Sequence, residues 1–84
     1  MSEKEIGEIV HYYGNLNVGI IELKDALKVG DKIHIKGHTS DFTQDVSSIQ
    51  IEHNTVSLAS PGDLVGIKVP QRVHQNDKVY RVTD

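Results

Sequence analysis

The chain has 84 residues, nine Lys and Arg against twelve Asp and Glu, a net charge of −3 and no Cys. The missing Cys excludes a disulfide framework and a thiolate metal site. The acidic balance argues against a strongly basic, sequence-blind nucleic-acid binder, because such binding rests on Lys and Arg displacing counterions.

Taken in order, the chain opens on Met1-Ser2-Glu3-Lys4-Glu5, polar and mixed in charge, without the basic and then apolar pattern of a secretory signal. No apolar run approaches the ~18–20 residues of a membrane span, so a cytoplasmic protein with no membrane partner is expected. Residues 6–13 read as a first strand whose inward face is ambiguous, and Gly14-Asn15 is a hairpin signal. Residues 17–23 read as a second strand, in which Gly19 suggests a bulge or a close backbone approach. Residues 24–28 are a polar connection with room for a short helical turn. The stretch from Leu27 to Gly37 reads as the organising strand. It enters by the turn Val29-Gly30-Asp31, sets Ile33 and Ile35 on one face, and sets Lys32, His34 and Lys36 on the other.

Residues 42–52 carry the next strand, with a phase slip at Ser47-Ser48 of the kind a bulge produces. His53-Asn54 reads as a turn, and Val56 and Leu58 as a short strand. Ser60-Pro61-Gly62-Asp63 predicts a type II turn. Val65, Ile67 and Val69 then alternate with Gly66, Lys68 and Pro70, and Gln75-Asn76-Asp77 turns into a last strand over residues 78–82. Short strands of this kind, with turn signals every eight to twelve residues or so, indicate an all-β barrel or sandwich. One domain over residues 1–84 is expected, with a core at about 5–83. The core is expected from Val10, Val18, Ile20, Leu27, Ile33, Ile35, Val46, Ile49, Ile51, Val56, Leu58, Val65, Ile67, Val69 and Val79.

Four segments together carry a resemblance. They are Leu27 to Gly37; Asp45-Val46-Ser47-Ser48-Ile49-Gln50; Ala59-Ser60-Pro61-Gly62-Asp63-Leu64-Val65-Gly66-Ile67; and Asn76-Asp77-Lys78-Val79. These resemble the β-barrel second domain of translational GTPases such as elongation factor Tu, with its "xxxGDxIxIxG", "VxSI", "AxxGxxVGI" and "xGDVI" segments. The same barrel closes some collagenase-like peptidase-family proteins that act in RNA modification. It also occurs as a short free-standing elongation factor-like protein, which this chain resembles most. The resemblance implies a small, closed, six-stranded Greek-key β-barrel of the translation-protein type. It implies no activity, because function lives in sites grafted on folds. The phosphate-cradling G-x-x-x-x-G-K-[ST] loop is absent, so no GTPase activity follows. Gln50 stands where elongation factor Tu has an acidic residue that helps hold the aminoacyl end of tRNA. Asn76 replaces the glycine of the last segment, and Asn is the substitute that best tolerates positive φ.

Several constellations have both a functional and a plainer reading. Lys32, His34 and Lys36, joined in space by Lys68, Arg72 or Arg81, would make a basic strip; the plainer reading is a solvated strand face. His11, His34, His38, His53 and His74 lack the spacing of a zinc site, and read as separate histidines with some sensitivity between about pH 5 and 8. Of Tyr12 and Tyr13, one is expected in the core and the other exposed, where it could stack on a base. Phe42 reads as a core plug or a loop anchor. Serines at 40, 47, 48, 57 and 60 have no G-x-S-x-G elbow around them, and Asp31, Asp63 and Asp77 sit at turns, where Asp bonds to the backbone. The expectation is therefore a non-enzymatic module without catalytic residues, metal or cofactor, binding RNA or a ribonucleoprotein through Lys32, His34, Lys36, Lys68, Arg72 and Arg81. The alternative is a protein-docking module for a larger enzyme or GTPase with no RNA contact.

Overall fold

A computed structural model describes residues 2–83. The chain is all-β. Among the described residues the ten strands are β1 (Ser2–Tyr13), β2 (Val18–Leu23), β3 (Leu27–Lys28), β4 (Lys32–Lys36), β5 (Asp41–Asp45), β6 (Ile49–Ile51), β7 (Asn54–Val56), β8 (Leu58–Ala59), β9 (Leu64–Lys68) and β10 (Lys78–Thr83). Eight form one antiparallel sheet in the order β5-β4-β10-β1-β2-β9-β6-β7, and β3 and β8 form a separate ribbon. Among the described residues no helix is long and apolar enough to cross a membrane.

The expected closed six-stranded barrel is corrected here. The sheet keeps two edges, at β5 and β7, and no ladder joins them. It curls far enough for the Gln44 Nε2 on β5 to donate to the Lys68 carbonyl at the end of β9, at 2.8 Å. The organising element also differs from expectation. β4 has the predicted alternation, but the longest strand is β1, twelve residues paired with β10 on one side and β2 on the other. The strand expected over residues 42–52 is two strands. At Val46 the chain leaves one ladder for another: its N–H donates to Asp31 O and its carbonyl accepts from Gly30, both at 2.8 Å, so β5 pairs with β4 while β6 pairs with β9 and β7. The phase slip marked that change of partner rather than a bulge.

Three turns share one design. Gly30, Gly62 and Asn76 have φ of 97°, 93° and 77°, the positive value that the third position of a type II turn requires. An Asp follows each. Its backbone N–H donates three residues back, to the carbonyls of Lys28, Ser60 and His74. Its Oδ2 accepts from the N–H of those same residues at 3.0, 2.9 and 2.9 Å. Each turn is thus clasped from both sides, and Asn76 takes the glycine role that its small amide side chain permits. Asp77 is the buried copy of the clasp, 4% exposed.

The core is one aliphatic cluster that includes Ile6, Ile9, Ile21, Leu23, Ile33, Ile35, Ile49, Val65, Ile67 and Val79. It differs from the expected core at the first two strands. β1 shifts register between Glu5 and Gly7 and again between Ile9 and His11, so Ile6 and Ile9 turn inward in place of Val10. On β2, Gly19, Ile21 and Leu23 face in, and Val18 and Ile20 face out. The close approach anticipated at Gly19 is real: a Cβ there would stand 3.2 Å from Val73 Cγ2, and Val73 is a core residue from a loop. At β8 the small Ala59 is buried and Leu58 is exposed. Tyr12, Phe42, Ile51 and Val56 pack against the cluster as partly buried neighbours.

Candidate functional site

Lys32, His34 and Lys36 do share the outer face of β4, but acids surround them. Register sets Lys32 opposite Asp45 and Lys36 opposite Asp41. His34 lies between two carboxylates: its Nδ1 is 3.0 Å from Glu3 on β1, and its Nε2 is 2.5 Å from Asp41 on β5. Tyr80 on β10 packs beside the imidazole ring. The hydrogen bond to Asp41, then that to Glu3, raises the His34 pKa above its ordinary 6.5, against a smaller opposing effect of burial. The same bond lowers the pKa of Asp41, helped by Lys36.

This clamp joins the start of β1 to β4 and β5, so it carries a pH dependence. A raised histidine pKa gives stability that is complete below 6.5 and is lost as pH climbs through the raised value. The lowered Asp41 pKa gives stability lost as pH falls through and below 3.8. Between these limits the clamp is strongest. Melting temperatures from about pH 5 to 9 should fall slightly toward the alkaline end, and His34→Gln should flatten that fall. Parallel curves for the two proteins would show that the clamp contributes nothing.

The other expected cations lie elsewhere. Lys68 ends β9, which pairs with β2 and β6 rather than with β4, and it meets the β4 side through its carbonyl, which accepts from Gln44 on β5. The Arg72 guanidinium sits 5.9 Å from the Tyr12 ring centroid. Arg81 ties β10 to the connection before β3, donating to Ala26 O at 2.6 Å and to Asp25 at 3.1 Å. Lys4, the backbone N–H of Ala26 and Arg81 together hold the Asp25 carboxyl down to about 2. Lys24 pairs with Glu5, and Lys78 with Glu8 at 3.3 Å. Four of the nine basic residues, Lys4, Lys24, Lys78 and Arg81, are therefore held in ion pairs. The fold gathers three of the six expected residues on β4 and scatters the other three. Among the described residues no three His, Asp or Glu are placed to hold a metal ion.

The surface that sequence reasoning missed lies over β2, β9 and β6. Register lines up Ile20, Gly66 and Gln50 across the three strands on the outward side. Gly66 leaves a depression, because a Cβ there would stand 3.3 Å from Val18 Cγ1 and 3.6 Å from Ile20 Cδ1. The result is a groove of about 700 Å³, floored by Val18 and Ile20 and walled by Tyr13, Leu16 and Leu64. Its rim is polar, with Gln50, Glu52, His53 and Asp63. The signal was present in the run Val18-Gly19-Ile20-Ile21, since apolar residues on both faces of a strand are one set more than a single core can bury.

No family model matches the chain. It is 42% identical over 77 residues to a protein of Methanocaldococcus jannaschii named an uncharacterized protease, covering 90% of this chain and 19% of that protein. It is 35% identical over 78 residues to a Porphyromonas gingivalis protein named collagenase, covering 90% of this chain and 22% of that one. Among solved structures, the C-terminal domain of a Geobacillus thermoleovorans protein described as a U32 peptidase superposes with a TM-score of 0.88 at 19% identity, over 95% of this chain and 93% of that domain. These findings correct three expectations. The likeness to translational GTPases gives way to protease and collagenase relatives. The translation-linked RNA-binding reading loses its support with it, and the expectation of a non-enzymatic protein is set against relatives named protease and collagenase. The chain spans about a fifth of the length of the curated relatives it matches, and what it is similar to is one segment of proteins named protease and collagenase.

Proposed function

We propose that this chain is a peptidase-associated β domain, working with the larger body of a U32-type peptidase protein. The observation that carries the reading is the shape of the match. Ninety per cent of this chain aligns at 42% identity with only 19% of a protein named a protease, and the fold superposes on a domain that closes such a protein. A segment that small, with a core of its own, supports a larger body as an appended domain does.

The test is a domain exchange in the Porphyromonas gingivalis collagenase, whose matching segment is replaced by this chain. The chimera should melt in step with the parent and retain its hydrolysis of gelatin, and deletion of the segment should impair both. A chimera no better than the deletion would overturn the reading.

A further inference from the structure

We infer that the groove over Ile20 and Gly66 is the face on which that peptidase body packs, an inference that rests on the proposed function and adds the surface. Exposed apolar side chains are concentrated there. Tyr13, Leu16, Val29, Leu58 and Leu64 are the exposed large hydrophobics among the described residues, and three of those five, Tyr13, Leu16 and Leu64, line this groove. Between them the floor is Val18 and Ile20, on the face of β2 where a solvated strand carries polar residues. A contiguous apolar concavity with a polar rim marks an interaction surface.

The rim holds a second feature. Glu52 and His53 form the two-residue loop between the paired strands β6 and β7, with φ of 50° and 68°. Two positive values in succession define a type I′ turn, whose favoured residues are Asn and Gly. Neither residue here is of that kind, and backbone held in sparsely populated regions clusters at binding sites.

The proportions of the relatives name the occupant. The matched segment is 19% of one and 22% of another, so about four-fifths of each lies outside it and is the large body available to cover a domain of this kind. The other faces suit it less well. The β4 face is charged and internally paired through His34, and the hollow beside β3 and β8 includes Arg81, already bonded to Ala26 and Asp25. The groove selects a partner of definite chemistry: aliphatic side chains seated over Gly66, with a cation at the rim opposite Glu52. Asp63 is less available for that cation, since its carboxylate accepts from Ser60 N–H.

Methyl NMR spectra of the isolated chain and of the collagenase chimera test this. Signals of Leu16, Val18, Ile20 and Leu64 should shift on incorporation, while those of Leu58 stay in place. Leu16→Lys with Leu64→Lys should leave the isolated chain folded, since both side chains are exposed, and should abolish those shifts in the chimera. Leu58→Lys should not. A functional chimera whose shifts fall on β4 or β8 would overturn this surface and leave the peptidase reading intact. A chimera that fails to fold or hydrolyse would overturn both. Two results with the isolated chain would also overturn it: self-association that shifts the same methyls, which assigns the groove to a second copy, or shifts there on adding RNA.

Discussion

Replacing Ile35 with Asp should leave the chain unfolded. Ile35 is fully buried on β4, opposite Val79 on one side and Phe42 on the other. The lysines of β4 point outward, and Ile35 belongs to the buried apolar cluster. An unpaired buried carboxylate costs several kcal/mol or forces its own protonation. At about 0.05–0.15 kcal/mol per residue, 84 residues hold about 4–13 kcal/mol, and a cost of that size removes most or all of it. Loss of the cooperative thermal transition and of strand circular dichroism is the expected readout. Ile35→Val is the control: it removes one methylene and should cost only about 0.5–1.5 kcal/mol. A soluble, folded Ile35→Asp protein would mean that the faces of β4 are reversed.

The second large effect is expected at Gly37, where β4 ends. A Cβ at that position would lie 1.8 Å from Asp77 Oδ1 and 2.3 Å from its Cγ, inside any contact distance. Asp77 cannot simply swing away. It is buried, its Oδ2 accepts from His74 N–H, and its carbonyl accepts from Ile9 N–H at 2.8 Å. Gly37→Ala should therefore destabilise by about 1–3 kcal/mol, the usual cost of overpacking, and lower the urea midpoint accordingly. Asp77→Ala should also destabilise, by leaving the His74 N–H without its acceptor. The double variant should cost less than the sum, because the second change removes the clash made by the first. Strict additivity would show that Gly37 and Asp77 do not meet. This contact also gives physical content to two of the segments that carried the family resemblance. The glycine that ends one strand makes room for the aspartate that opens the last.

Much of the architecture was legible because it is local. Period-two alternation placed Ile33, Ile35, Val65, Ile67 and Val79 in the core, where they are. Turn chemistry placed positive φ at Gly62, and the resembled segment's glycine placed it at Asn76, where it is. Both signals act within a few residues of each other, so a single sequence carries them. The likeness of these segments to translational GTPases described shared strand and turn patterns, and the protease and collagenase relatives give the chain a different setting.

Other features depended on partners distant in sequence. The inward face of β2 was set by Val73 and Val69 approaching Gly19 from a loop some fifty residues on. The open edges were set by a change of ladder at Val46, made through bonds to Gly30 and Asp31. The row Lys32, His34 and Lys36 was readable as a row, yet its electrostatics were decided by Glu3, thirty-one residues from His34, and by Asp41 across the next strand. The groove needed three strands in register before Ile20, Gly66 and Gln50 could lie side by side. The sequence by itself determined most of the strands, the clasped turns and most of the aliphatic core, because alternation and φ preference are properties of neighbouring residues. Only the tertiary structure decided which faces are charged, paired or apolar, because those are properties of side chains that the sheet brings together from distant parts of the chain.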